Sequence, residues 1–139
     1  MMLIHPYLSF DGQCEDAFNF YEKVFAGKIT FKMTWGEMPG KEQFPVETHR
    51  LIMHVSLAVG DQTLMGADAP PGRYQKPQGI HISLHFKDKS EGEKIFNALA
   101  ENGNVQMPFQ QTFWSTGFGA CVDRFGTPWM INCEDGAAQ

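Results

Sequence analysis

The sequence predicts an α+β fold built from two βαβββ modules, and three observations support this prediction. The chain has 139 residues, which suits one domain with its own hydrophobic core. Positions 4–31 align without a gap on positions 80–107, with seven identities in 28 positions. Unrelated segments of ordinary composition share only about two. Each copy also changes from strand-like alternation to a helical pattern and back, so the chain resembles two copies of one supersecondary unit.

The first module begins with a strand over 4–10, where polar and apolar side chains alternate. The helix after it has an apolar stripe with i, i+3, i+4 and i+7 spacing, formed by Ala17, Phe20, Tyr21 and Val24. We expect this helix to end in a left-handed cap at Gly27. Three further strands are predicted over 28–35, 50–59 and 63–66.

The second module repeats this order, beginning with a strand over 80–86. Its helix is predicted to open with a capping box formed by Ser90 and Glu93, and to end at Gly103. We expect it to bury Ile95, Phe96 and Leu99. The last three strands are predicted over 104–113, 118–122 and 129–133.

Two segments interrupt the repeat. Residues 67–78 form a proline-rich linker, so module 1 spans 3–66 and module 2 spans 79–134 within a single domain, 1–139. The loop 36–49 contains Pro39, Gly40 and Pro45, which we expect to prevent any regular element. Two interpretations of this loop stay open: a lid over a site, or an ordinary mobile connection.

Charge and composition exclude several classes of function. The net charge is −5 and Lys and Arg are scattered singly, so we expect no nucleic-acid partner. Apolar stretches are too short to span a bilayer and no secretory signal is recognisable, so we expect no membrane association and a cytoplasmic location. The three cysteines, Cys14, Cys121 and Cys133, suit neither a disulfide framework nor a zinc knuckle, and we expect them to be reduced and buried.

Three segments carry a resemblance to a known family: FDGQCEDAFNFYEKVF, Trp35-Gly36-Glu37-Met38-Pro39, and FWSTGFGACVDRFGTPWMIN at 113–132. They are similar to the PhnB-like branch, also labelled 3-demethylubiquinone methyltransferase-like, of the vicinal oxygen chelate superfamily. That superfamily includes glyoxalase I, extradiol dioxygenases, and the fosfomycin and bleomycin resistance proteins. The resemblance implies that the two sheets curl around a shared cleft, with the helices on the outer face. It also implies a homodimer.

The resemblance further implies that side chains of the first strand of each module face the cleft. By strand alternation, His5, Tyr7 and Ser9 share one face of the first strand. His81, Ser83 and His85 share the equivalent face in module 2. The predicted ligand pocket consists of these six residues together with Met65, Met130 and Trp114.

In the metal-dependent members of the superfamily, a histidine from each first strand and a carboxylate from a last strand bind one divalent metal. His5 and His81 match the histidine positions, but Met65 and Met130 stand where glutamates are expected, and a thioether is a poor ligand for Zn²⁺, Ni²⁺, Mn²⁺ or Fe²⁺. The predicted metal set is therefore His5, His81 and Glu134, with Asp68, His49 and His54 as further candidates.

Other catalytic chemistries lack support, and no catalytic residue is predicted. There is no nucleophile turn, and the only glycine-rich candidate for a methyl-donor site is Gly117-Phe118-Gly119, which we expect to let a hairpin turn tightly. Glu37 and Glu47 are better interpreted as surface acids than as an acid–base pair. Three functions stay open: binding of a small organic ligand, a metal-dependent lyase, isomerase or dioxygenase, and a dimeric interaction protein with a vestigial site.

Overall fold

The computed structural model describes residues 1–134, which form two units, Met1–Gln75 and a second unit from Lys76 onward. Each unit has the order βαβββ, so the predicted fold class is confirmed. The first unit contains β1 (Tyr7–Phe10), α1 (Cys14–Val24), β2 (Lys28–Thr34), β3 (Ile52–Val59) and β4 (Gln62–Asp68). The second contains β5 (Ile82–Phe86), α2 (Lys89–Ala100), β6 (Asn104–Gln110), β7 (Gly117–Val122) and β8 (Pro128–Cys133).

Each unit is a mixed four-stranded sheet with one helix on one of its faces. The strand order is β1-β4-β3-β2 in the first sheet and β5-β8-β7-β6 in the second. The first and last strands of each unit are parallel, and the other pairs are antiparallel. In β1, buried Leu8 and Phe10 alternate with exposed Tyr7 and Ser9. We call the sheet face opposite the helix the open face of that unit.

The end of α1 differs from the prediction. The residue with positive φ is Ala26, at 52°, so the expected left-handed cap at Gly27 is wrong. Gly27 is required for a different reason: a Cβ atom there would lie 2.5 Å from the carbonyl oxygen of Ala58 on β3. The buried face is also rotated toward Cys14 and Phe18, which are buried while Phe20 and Val24 are only half-buried.

A side-chain cap defines the beginning of α2, and a close contact with a neighbouring strand explains the glycine after its end. Asp88 is the N-cap and its Oδ1 accepts a hydrogen bond from the Ser90 backbone N–H at 3.1 Å, so the predicted capping box at Ser90 is wrong. Ser90 lies inside the first turn, because the helix begins at Lys89. At the other end Asn102 has the positive φ, at 60°. A Cβ atom on Gly103 would collide with the Val122 carbonyl.

Element boundaries differ from the prediction mainly at strand ends. The strand β1 begins at Tyr7 rather than at position 4, although the Pro6 carbonyl still accepts a hydrogen bond from the Met65 backbone N–H at 3.0 Å. The strand β4 continues to Asp68, two residues beyond the predicted end of module 1, and β6 already ends at Gln110.

The loop 36–49 is more ordered than its prolines indicated. One short 3₁₀ turn, Trp35–Glu37, begins one residue before the loop, and two more, Lys41–Gln43 and Val46–Thr48, lie within it, so the expectation of no regular element is wrong. The Nε2–H of His49 holds two of these turns together, since it donates to the carbonyls of Lys41 and Phe44 at 2.9 and 3.1 Å. His49 therefore has a structural role in this loop.

The three cysteines are unpaired and buried. Burial raises the pKa of Cys121 to about 11, and the Asp123 carboxylate adds to this shift. Burial also raises the pKa of Cys14 and of Cys133. The three side chains are therefore neutral thiols in the core at physiological pH.

Within residues 1–134, neither helix is long and apolar enough to cross a membrane.

Candidate functional site

A row of four side chains crosses the open face of the first unit. Tyr7 on β1 is the cross-strand neighbour of Met65 on β4, Met65 is the neighbour of Ser56 on β3, and Ser56 is the neighbour of Phe31 on β2. Tyr7 and Phe31 are 52% and 45% exposed, so two large aromatic rings are accessible to solvent at the ends of this row. The row therefore combines the hydroxyl groups of Tyr7 and Ser56 with the apolar side chains of Met65 and Phe31.

A hydrogen-bonded chain lies on the same face. The Tyr7 hydroxyl is 3.0 Å from Nδ1 of His54, and Nε2 of His54 is 3.1 Å from the Ser56 hydroxyl oxygen. The Tyr7 and His54 rings are stacked with centroids 5.5 Å apart, and the Phe31 ring is 5.7 Å from His54. Because a neutral imidazole has one donor and one acceptor nitrogen, the chain can run in either direction. We call Tyr7, His54 and Ser56 the Tyr–His–Ser chain.

The Tyr7 phenol stays protonated at physiological pH. Partial burial raises its pKa, and the nearby Cys14 adds a smaller contribution. The phenol is therefore a neutral donor and acceptor, and it supplies hydrogen bonds rather than negative charge.

The open face of the second unit carries a related set of hydrogen-bonded side chains. Ser83 on β5 is the neighbour of Met130 on β8, and the Ser83 hydroxyl is 3.0 Å from Nε2 of His85. His81, just before β5, donates from Nε2 to the side-chain oxygen of Gln106 on β6 at 2.9 Å. Ser83, His85 and His81 are all exposed.

The predicted pocket residues are thus distributed over both units. Three of them, Tyr7, Ser9 and Met65, lie on the first unit's open face, and Ser83, His85 and Met130 lie on the second unit's. His81 immediately precedes β5, His5 lies two residues before β1, and Trp114 lies in the bend between β6 and β7. A shared cleft formed by both faces stays a prediction.

The residues present do not favour a metal centre. Among residues 1–134, no group of three or more His, Cys, Asp or Glu side chains could hold a metal ion. Met65 and Met130 occupy the middle of the two open faces, and their thioethers are poor ligands for hard or borderline metals. His5 belongs to the first unit, whereas His81 and Glu134 belong to the second, so this predicted set stays a prediction.

Asp68, a further metal candidate, has a structural role. Its side chain is 3% exposed, and its two oxygens accept hydrogen bonds from the backbone N–H groups of Cys14 and Ile52 at 3.0 and 2.9 Å. It therefore joins the first turn of α1 to the beginning of β3.

The acid pair on the loop is also explained by local structure. Glu37 accepts hydrogen bonds from the backbone N–H and the hydroxyl of Thr34 at 2.8 and 2.9 Å, and these bonds lower its pKa. Glu37 and Glu47 are both exposed, as expected for surface acids.

Much of the motif at 113–132 maintains the fold of the second unit. Gly117 and Gly119 lie inside β7 rather than in a turn, so the predicted role of G-F-G in turning a hairpin is wrong. A Cβ atom on Gly119 would lie 2.7 Å from the Phe96 ring, and one on Gly117 would collide with the Phe109 ring. These two glycines give space to aromatic rings of the core.

Asp123 organises the turn between β7 and β8. One carboxylate oxygen accepts the backbone N–H groups of Phe125 and Thr127 at 2.8 and 3.0 Å, and the other accepts the Trp129 indole N–H at 2.8 Å. The side chain is only 3% exposed. Asp123 is therefore a structural acid.

Sequence reasoning did not single out Ser56 or Phe31, and it considered His54 only as a metal ligand. Alternation along β3 places His54 and Ser56 on one face, away from buried Val55 and Leu57, and this pattern is present in the sequence. The hydrogen bond between Tyr7 and His54 depends on the strand order β1-β4-β3, which is a long-range property.

Comparisons with known proteins agree with this architecture. The family described as 3-demethylubiquinone-9 3-methyltransferase matches residues 3–132. Protein YjdN of Escherichia coli strain K12 is 35% identical over 139 residues, covering 94% of this chain and 95% of that protein. The structure of protein PA1353 from Pseudomonas aeruginosa has 42% identity and a TM-score of 0.89, covering 96% of this chain and 98% of that one.

More distant structures share the fold. The PhnB protein of Bacillus cereus has 22% identity and a TM-score of 0.80, covering 95% of this chain and 99% of that one. The fosfomycin resistance protein FosX of Listeria monocytogenes has 9% identity and a TM-score of 0.66, covering 94% of this chain and 91% of that one. The chain therefore belongs to the family described as 3-demethylubiquinone-9 3-methyltransferase.

Proposed function

We propose that this protein binds a small organic ligand on the open face of its first unit, without a resident metal. The Tyr–His–Ser chain beside Met65 and Phe31 is the observation that carries this proposal. The ligand class is an aromatic or alicyclic molecule with an oxygen substituent. A few directed polar groups within an apolar surface are typical of small-molecule sites.

The Tyr–His–Ser chain supports recognition of one oxygen atom. When His54 carries its proton on Nε2, the Tyr7 hydroxyl donates to Nδ1 and keeps acceptor capacity; in the other tautomer, Nδ1–H donates to the Tyr7 oxygen, and the phenol proton is free for a ligand. The site can therefore accept from a hydroxyl or donate to a carbonyl. The rest of the ligand would pack on the exposed rings of Tyr7 and Phe31.

The second unit supports a contribution from its own open face. Ser83 and His85 form a polar pair beside Met130, and Met107, which is 45% exposed, adds apolar surface on β6. A homodimer and a cytoplasmic location remain part of this proposal.

The metal-dependent alternative assigns His5, His81 and Glu134 to a divalent metal. It is less well supported, because His81 is already hydrogen-bonded to Gln106 and the middle of each open face carries a methionine. The third alternative, a dimeric interaction protein, predicts that substitutions in the Tyr–His–Ser chain affect stability only.

Methionine methyl groups provide a direct test of ligand binding. The protein is labelled with [¹³C-methyl]-methionine and titrated with a fragment set of neutral phenols, aryl ketones and alicyclic alcohols. We expect the Met65 methyl resonance to shift with at least one fragment, while Met38 in the loop stays unchanged. The Tyr7→Phe substitution should then weaken that fragment about 3- to 10-fold, because one hydrogen bond is lost.

The matched control is Tyr74→Phe, which removes a phenol whose pKa burial also raises but which lies in the linker. This variant should bind the fragment like the wild type. If no fragment shifts Met65, or if both variants lose affinity equally, the proposed site is wrong.

A further inference from the structure

A second site is suggested by the bend between β6 and β7. Residues 111–116 and Glu134 line a surface cavity of 190 Å³, which we call the Trp114 pocket. It contains none of the residues of the Tyr–His–Ser chain. The proposed function therefore leaves this pocket unexplained.

Two buried oxygen atoms, one on Glu134, which lines the pocket, and one on Asn132 of β8, have no hydrogen-bond partner within residues 1–134. The Asn132 side chain is 7% exposed, and its Nδ2 donates to Oε1 of Glu134. Oδ1 of Asn132 and Oε2 of Glu134 are buried and unsatisfied. A buried carboxylate oxygen without a donor is costly, and in a native protein it indicates a missing partner. That partner must carry donors and, beside Glu134, favours positive charge.

Aromatic rings form the outer wall of the pocket. Phe113 is 97% exposed and Trp114 is 43% exposed, with their ring centroids 4.8 Å apart. The Trp114 ring also contacts Phe118, at 5.4 Å, which fixes its orientation. Exposed aromatic faces beside a carboxylate are favourable for an organic cation, because the ring quadrupole attracts positive charge.

Hydrogen bonds hold the bend in place beside Glu134. The Ser115 hydroxyl is 2.7 Å from the carbonyls of Gly117 and Cys133, and the Thr116 backbone N–H donates to the Cys133 carbonyl at 3.0 Å. The Thr112 backbone N–H donates to the Ser115 carbonyl at 3.0 Å. The pocket is therefore largely formed before a ligand arrives, which lowers the entropic cost of binding.

We propose that the Trp114 pocket binds the primary ammonium group of a small organic amine. Its N–H donors would satisfy Glu134 Oε2, while its apolar part would pack on Trp114 and Phe113. A quaternary ammonium has no N–H donor for Glu134 Oε2, and an inorganic cation has no apolar part that would pack on the aromatic rings. This pocket contains no residue of the Tyr–His–Ser chain, and an ammonium ligand differs in chemistry from the neutral ligand of the proposed function.

Fluorine NMR on protein labelled with 5-fluorotryptophan tests this proposal. The chain has three tryptophans, so Trp114 reports on the pocket while Trp35 and Trp129 act as internal controls. Benzylamine should shift the Trp114 resonance in a saturable manner, whereas neutral benzyl alcohol should not. The Glu134→Gln substitution should weaken benzylamine about 10- to 100-fold, because a charge-assisted hydrogen bond is lost.

The matched control is Glu101→Gln, which removes an exposed carboxylate at the end of α2 and should leave benzylamine binding unchanged. Glu134→Gln should also raise the Tm of the free protein, because it removes the negative charge beside the buried Oε2, which has no donor within residues 1–134. Tyr7→Phe should have no effect at this pocket, so failure here and failure of the proposed function are distinguishable.

Three results would overturn the proposal: equal shifts with benzyl alcohol, displacement of benzylamine by Ca²⁺ at equal concentration, or unchanged affinity in Glu134→Gln. Sedimentation measures the oligomeric state of the variant. If Glu134→Gln changed that state, the ammonium group in the pocket would belong to a lysine of a second copy of the chain, and the small-amine proposal would be overturned as well.

Discussion

The Asp123→Ala substitution is expected to lower the free energy of unfolding by about 3–5 kcal/mol, because it leaves three N–H donors without their acceptor. These donors belong to the turn between β7 and β8 and to the buried Trp129 indole. Urea unfolding monitored by tryptophan fluorescence measures the change. This is the largest effect we expect from any single acidic residue.

The control for this variant is Asp61→Ala, in the exposed turn between β3 and β4, which should change the free energy of unfolding by less than about 0.5 kcal/mol. If Asp123→Ala were as stable as Asp61→Ala, the structural role of Asp123 would be wrong, and its carboxylate would become a candidate for the site.

The Asp68→Ala substitution should lower the free energy of unfolding by about 2–4 kcal/mol, because two buried N–H groups lose their acceptor. Asp68→Asn should lose less, since its amide oxygen can still accept one of the two hydrogen bonds from Cys14 and Ile52. Urea unfolding of both variants measures the difference between them.

The two Asp68 variants also test the prediction that Asp68 is a further candidate metal ligand. A stable Asp68→Ala protein that binds Zn²⁺ less tightly than the wild type would contradict the structural role. It would identify Asp68 as the missing carboxylate.

The architecture was readable from the sequence because it depends on local periodicity. Alternation along 4–10 correctly separates Tyr7 and Ser9 from Leu8 and Phe10. Helix ends were less predictable, since Gly27 and Gly103 are required by close approaches to the carbonyls of distant strands. These contacts are long-range, and a cap rule based on neighbouring residues does not include them.

The candidate site likewise depends partly on local alternation and partly on long-range contacts. The sequence indicated which face carries Tyr7 and Met65, because alternation is local. It did not indicate that Tyr7 reaches His54, because β4 lies between their strands. Strand parity placed Glu134 on the face of Met130, but its hydrogen bond to Asn132 and its unsatisfied oxygen required coordinates.

The family motif at 113–132 illustrates why membership does not define activity. Gly117, Gly119 and Asp123 have structural roles, so they would be needed whatever the protein binds. Chemistry depends on the side chains of the open faces, and these differ among proteins with one fold. Here those side chains are the hydrogen-bonding groups of tyrosine, serine and histidine together with methionines.

Metal analysis of the purified protein tests the central claim, ligand binding without a resident metal, most directly. Protein prepared without a histidine tag is loaded with Zn²⁺, Ni²⁺, Mn²⁺ or Fe²⁺, dialysed, and analysed beside a His5→Ala/His81→Ala double variant. We expect far less than one ion per chain in both proteins, with fragment binding at Met65 unchanged by EDTA. A content near one ion per chain that the double variant loses would contradict this account and establish a metal site.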